Sequence, residues 1–168
     1  MIAYKFLAPG KVGPFTGFRW RPNIWVEAEG AQPCRHGVHA CRPKHLPMWL
    51  GAELWEIELG GDIIEGERKV VAQRGRLTRP IEQWTPELAG EFGRFCARRA
   101  RKRVGGLPLL AGFVTYADRF VGQHRTPLAA FAAARAAELC NGPPAYEAER
   151  LAQATWLAER LGLERPNS

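Results

Sequence analysis

Residues 54–62 read Leu54-Trp55-Glu56-Ile57-Glu58-Leu59-Gly60-Gly61-Asp62. Across residues 53–59 apolar and acidic side chains alternate, the pattern of a strand with one face buried. Gly60-Gly61 predicts its end. Downstream, residues 68–72 and 75–79 read as the last strands of this region, with Gln73-Arg74 between them. Upstream, residues 37–41 read as a short buried strand, and residues 44–50 as a short helix or turn. Residues 15–20 and 23–27 are predicted strands separated by Arg21-Pro22, and residues 3–7 a strand ended by Pro9-Gly10. Several short strands around one early helix predict a bent or split, antiparallel-rich sheet over residues 1–84.

Residues 85–168 change character, being rich in Ala, Leu and Arg at helical spacing. Thr85-Pro86-Glu87 is a helix start, with a threonine cap, proline at the first helical position and an acid in the first turn. That helix is predicted to run to about Arg103 and to stop at Gly105-Gly106. Residues 107–121 read as a second helix with Pro108 in its first turn. Thr126-Pro127 repeats the start signal for a third, which ends at Asn141-Gly142. A fourth, residues 144–161, sets Tyr146, Leu151, Ala154, Leu157 and Leu161 near one face, leaving Glu147, Glu149, Arg150 and Gln153 elsewhere. The expected fold class is α+β, a β-rich region 1–84 with a four-helix region 85–168 packed on it in one shared globular unit.

The chain has 168 residues, 46% hydrophobic and 24% charged, which is globular composition. Its formal net charge of +7 is spread evenly over both halves, so it favours an anionic ligand or partner without marking a basic tail. Every apolar run is too short to span a bilayer, so no membrane partner is expected. Residues 1–7 read as strand rather than as a signal-peptide core, and Cys34, Cys41, Cys96 and Cys140 then read as reduced thiols of a cytoplasmic protein. Ser168 is the only serine, which excludes a serine nucleophile. Asp62 and Asp118 are the only aspartates, which argues against an acidic two-metal centre. The usual phosphate-loop, dinucleotide, zincin and redox motifs are missing.

Four groups carry potential chemistry. Cys34, His36, His39 and Cys41 fall within eight residues as C-x-H-x2-H-x-C. Zinc is not expected there, because structural sites draw on two separated ligand pairs. The bland alternative buries Cys41 and leaves His36 on the surface. Arg98, Arg99, Arg101, Lys102 and Arg103 suit phosphate or nucleic-acid contact, or simply complement a helix C-terminus. Trp20, Trp25, Trp49, Trp55 and Trp84 suit a stacking pocket or a core. Glu56, Glu58, Glu65 and Glu67 are the acids able to act as a base; the first pair is expected to face solvent and the second to flank Gly66 at a sheet edge.

Taken in order, residues 37–41 (Gly-Val-His-Ala-Cys), residues 54–62 and residues 67–77 resemble the poly-ADP-ribose-polymerase-like branch of the ADP-ribosyltransferase fold. That family carries a G-I-Y-F-A strand, a hydrophobic-x-E-V-x-L-G-D strand and an E-Y-V-V-Y segment running into a final strand. Tyr4-Lys5-Phe6-Leu7 falls where the family has Y-R-G-T or W-H-G-S. The resemblance covers residues 3–84, and the same block is similar to small bacterial and phage proteins with a G-[FV]-H-A-C core. It implies a split sheet gripping NAD+ as substrate and cleaving its nicotinamide–ribose bond, as transferase to an unspecified acceptor or as glycohydrolase. The family's triad positions fall on Lys5, His39 and either Glu67 or Glu65. Lys5 stands where Arg or His is usual, His39 where Tyr or Ser is usual, and Phe6 where the family has glycine. Lys5, His39, Trp20 and Arg19 would then hold the dinucleotide, while the carboxylate stabilises the oxocarbenium-like centre. The alternative function is a non-catalytic basic module that binds nucleic acid or another anionic partner through Arg98, Arg99, Arg101, Lys102 and Arg103.

Overall fold

Two units make up the chain, Met1–Trp84 and Thr85–Ser168, in a computed structural model that describes residues 1–33, 35–105, 111–123 and 125–166. The first unit carries β1 (Ile2–Leu7), β2 (Val26–Glu27), β3 (Val38–Ala40), a 3-10 turn (Pro43–His45), α1 (Leu46–Trp49), β4 (Glu53–Glu65) and β5 (Val70–Pro80). The second carries α2 (Pro86–Val104), α3 (Ala111–Gly122), α4 (Thr126–Asn141) and α5 (Pro143–Leu161). The fold is α+β, with an antiparallel five-stranded sheet.

In the first unit β4 and β5 form a long hairpin, and β1 lies antiparallel on the outer edge of β4, pairing Ile2 with Glu58 through Leu7 with Glu53. The other edge of β5 takes β3 opposite Val70–Ala72 and β2 opposite Arg74 and Gly75. Just past β3, Tyr4 and Cys41 exchange two backbone hydrogen bonds of 2.9 and 2.8 Å. These bonds join β3 back to the free edge of β1, so β1, β4, β5 and β3 form a closed ring. Closure satisfies strand edges that would otherwise template aggregation. Inside lie Ala3, Leu7, Trp20, Val38, Ala40, Trp55, Ile57, Leu59, Val70, Ala72 and Leu77. Glu56 and Glu58 point the other way, as the alternation predicts, and meet Arg79 and Arg76 at 2.8 and 2.7 Å.

Four strand assignments differ from the sequence reading. Gly60-Gly61 does not stop β4 but bends it: the register with β5 shifts between Gly60 and Ile63, and Gly61 has φ +70°, where glycine alone is at ease. Residues 68–72 and 75–79 are not separate strands, because β2 and Ala28 bond the intervening Gln73–Gly75 backbone and carry β5 straight through. Residues 15–20 are a turn rather than a strand. Gly13 N–H donates to Phe18 O (2.8 Å) and Gly17 N–H to Gly13 O (2.9 Å), with Gly17 at φ +69°. The strand predicted over 23–27 shrinks to Val26–Glu27, since Asn23 takes φ +63°.

In the second unit the Thr85 hydroxyl accepts from Leu88 N–H at 3.2 Å, capping α2 as its residue type dictates. α4 packs against α2, α3 and α5 through buried alanines at 129, 130, 132, 133, 134, 136 and 137, which let backbones approach closely. Thr126 is not the cap of α4. Arg125 holds that position, and the Thr126 hydroxyl donates to Ala89 O of α2 at 3.1 Å. On α5, Glu149, Arg150 and Gln153 are buried, against the expectation that they lie off the packed face. The reason is charge: Glu149 receives Arg99 at 2.8 Å and Arg103 at 3.1 Å, both from α2. The predicted first turn of the second helix, including Pro108, lies outside the described residues. Among the described residues no helix is long and apolar enough to cross a membrane.

Candidate functional site

Lys5 occupies an interior register of β1: it shares its face with Ala3 and Leu7, both fully buried. Its ammonium donates to His39 O at 2.6 Å and stands 5.2 Å from the centre of the Trp20 ring. No carboxylate pairs with it among the described residues. Desolvation therefore lowers its pKa from 10.5 to about 8. At neutral pH it stays charged, a desolvated cation with one hydrogen bond and three donors.

His39 lies on β3 opposite Val71. Its Nδ1 is 3.1 Å from Gly37 O, the geometry of an N–H donor to that carbonyl. Burial lowers its pKa, and Lys69 and Lys5 push the same way against the Gly37 bond, so the ring is neutral at pH 7. Cys41, fully enclosed at the ring closure, has its thiol pushed up to about 12 by burial and is unreactive.

Tyr4, Lys5, Phe6, Pro14, Phe15, His39, Ala40, Cys41 and Trp49 line a cleft of about 60 Å³. A larger groove of about 300 Å³ adjoins it, sharing Pro14, Phe15 and Trp49 and adding Leu7, Met48, Leu50 and neighbouring backbone. Lys5 and His39 both line this cleft, and the contact between them is from the Lys5 ammonium to the His39 backbone carbonyl.

The carboxylates lie elsewhere. Glu65 pairs with Arg42 at 2.6 Å and Glu67 with Arg68 at 3.3 Å, their side chains 56% and 83% exposed at the β4–β5 turn. Neither lines the cleft. Trp20 is in the core beneath the Lys5 ammonium, whereas Arg19 is exposed beside it in sequence. Trp55 and Trp84 are core residues; Trp25 lies over Gly60 with the Arg74 and Arg76 guanidinium groups each 5.0 Å from its ring. Cys34 is outside the described residues, His36 is exposed and Cys41 is buried. No group of three metal-ligating side chains occurs among the described residues.

The α2 cations are largely engaged inside their own unit. Arg99 and Arg103 serve Glu149, and Arg101 meets Asp118 at 2.7 Å. Of the five cations at residues 98–103, Arg98 and Lys102 have no ion pair among the described residues, and both are exposed.

Phe15 and Met48 were not singled out as a site by sequence reasoning, whereas Trp49 was one of the five tryptophans read as either stacking pocket or core. A usable signal existed for Phe15: an aromatic between Pro14 and Thr16-Gly17 sits in turn sequence, where a large apolar side chain has no core to enter. Compared with protein-family models, with curated proteins and with solved structures, the chain matches none.

Proposed function

We propose that the Met1–Trp84 unit binds a small anionic ligand at the Lys5–His39 cleft, and that binding rather than bond cleavage is its function. One observation carries this reading: Lys5 lines the cleft, and its ammonium has no carboxylate partner among the described residues. An anion arriving there supplies the counter-charge that the fold withholds, and does so where water competes poorly. Titrating inorganic phosphate into the protein by calorimetry tests it. Saturable binding that disappears in Lys5→Met is expected; equal heats from both proteins would sink the reading.

A second reading follows the juxtaposition of Lys5 and His39, the two positions that the ADP-ribosyltransferase resemblance marks as dinucleotide contacts. On that reading NAD+ occupies the cleft, and Glu65 or Glu67 supplies the carboxylate for nicotinamide loss. Both carboxylates would have to leave exposed ion pairs and reach a cleft they do not line. Free nicotinamide measured after incubation with NAD+ separates the readings. Release that falls at least ten-fold in Glu65→Gln or Glu67→Gln favours transfer chemistry; binding without release favours the receptor.

A further inference from the structure

The groove beside the cleft defines what the anion is attached to, an inference that rests on the anion-binding reading. Phe15 is 84% exposed, the most exposed large apolar side chain among the described residues. It is not loosely held. The Gly13–Phe18 turn is closed by two backbone hydrogen bonds, and its base is fastened where Glu53 Oε1 accepts from Gly10 N–H at 2.6 Å. An ordered backbone therefore presents this ring to solvent. Trp49 is the other aromatic wall, and its Nε1–H donates to Arg68 O at 2.9 Å, which fixes the orientation of the indole. An indole already held in place loses little entropy when a flat ring stacks on it.

Pro14, Phe15 and Trp49 line both spaces, so the cleft and the groove share a wall. The larger space is apolar: its lining includes no charged residue. Its volume of about 300 Å³ reaches the lower end of small-molecule sites. We infer that cleft and groove form one site for an aromatic nucleoside monophosphate, the flat ring against Phe15 and Trp49 and the phosphate at Lys5. A lysine ammonium is a point charge and suits a phosphate better than a bidentate carboxylate.

Calorimetry on the full chain with adenosine monophosphate, adenosine and inorganic phosphate tests this. The monophosphate should bind at least ten-fold more tightly than either fragment. Phe15→Ala should weaken the monophosphate and adenosine at least five-fold and leave phosphate unchanged. Lys5→Met should weaken the monophosphate and phosphate and spare adenosine. Phe15 is exposed, so its variant keeps the fold, and the Phe15→Trp variant should restore binding. Equal affinity for phosphate and monophosphate, with no effect of Phe15→Ala, would overturn the ring site and leave the anion cleft standing. Absence of phosphate and monophosphate binding would overturn both. Adenosine bound as tightly as its monophosphate would remove the anion from the inference.

Discussion

Lys5 is an interior lysine in a small closed sheet, and its proton is the most direct handle on the site. Its pKa falls from 10.5 to about 8 through desolvation, so between those values the unfolded chain binds more protons than the folded one. Stability therefore rises with pH across that window; the cost of burying the charge is fully present below 8 and gone above 10.5. The buried thiols of Cys41 and Cys96 act oppositely above pH 9, because burial raises their folded-state pKa values. The clean interval is pH 8 to 9. Urea midpoints should increase over it in the wild type and stay flat in Lys5→Met, and a parallel response in the two proteins would contradict the burial of this charge. Ligand affinity should move the other way. An anion binds the ammonium, so phosphate affinity should decline above about pH 8 rather than hold until the usual lysine range near 10.4. Lys5 and His39 were both legible in the sequence as chemical groups, because few other residue types were available. The environment that makes Lys5 unusual was not legible: its register is set by pairing with Trp55 of β4, and its ammonium is met by a carbonyl 34 residues away. Phe15 was hidden by its neighbours, since residues 15–20 carry enough aromatic content to read as strand when Gly13 and Gly17 in fact fold them into a turn.

Among the elements, β5 and α5 show where local pattern and tertiary packing part. Gly75 lies on β5 where β2 and β4 flank it, and a Cβ added there would stand 2.8 Å from Val38 Cγ1 and 3.2 Å from Leu59 Cδ2. Gly75→Ala should thus destabilise the ring by about 1–3 kcal/mol through overpacking. Gly30 has open space around its Cα and no positive φ, so Gly30→Ala should be neutral or slightly stabilising. Chemical denaturation of the two variants gives the comparison, and similar losses would refute the steric assignment. α5 offers a sharper case. Glu149 is fully buried between two guanidinium groups that are each about one-third exposed. Glu149→Ala should cost about 2–4 kcal/mol, somewhat below the range for fully buried pairs, because solvent screens Arg99 and Arg103 in part. The helices were read nearly to their ends because proline, glycine and cap signals are local. The burial of Glu149 and Gln153 was not readable from α5 alone, where apolar spacing defines a face and charge defines its back. It takes the arginines of α2 to invert that assignment. The same dependence on partners explains the strands: Gly60-Gly61 looks like a terminator until β5 supplies hydrogen bonds on the far side of the bulge.

At the level of the whole molecule, the charge of +7 looks different once its partners are counted. The five cations at the end of α2 include three held by Glu149 and Asp118, so that cluster offers Arg98 and Lys102 to an outside anion. If nucleic acid binds there, about two phosphates are neutralised, and the slope of log affinity against log salt should be no steeper than about −2. Loss of affinity should follow Arg98→Ala and Lys102→Ala, whereas Lys5→Met should leave it unchanged. The small anion of the cleft and a polyanion on α2 are in this way separable by mutation. The division of the chain into Met1–Trp84 and Thr85–Ser168 leads to a stronger test. The first unit closes its own strand ring, holds Trp20 and Trp55 in its own core, and contains every residue of the proposed site. A closed sheet with an interior of its own has what independent folding requires, even at a size where cores are marginal. Residues 1–84 produced alone should therefore unfold cooperatively in urea and bind adenosine monophosphate within about three-fold of the full chain. A fragment that folds but does not bind would move part of the site into the helical unit; one that binds as the full chain does would leave the helices free for a separate task, with Arg98 and Lys102 as the first residues to examine.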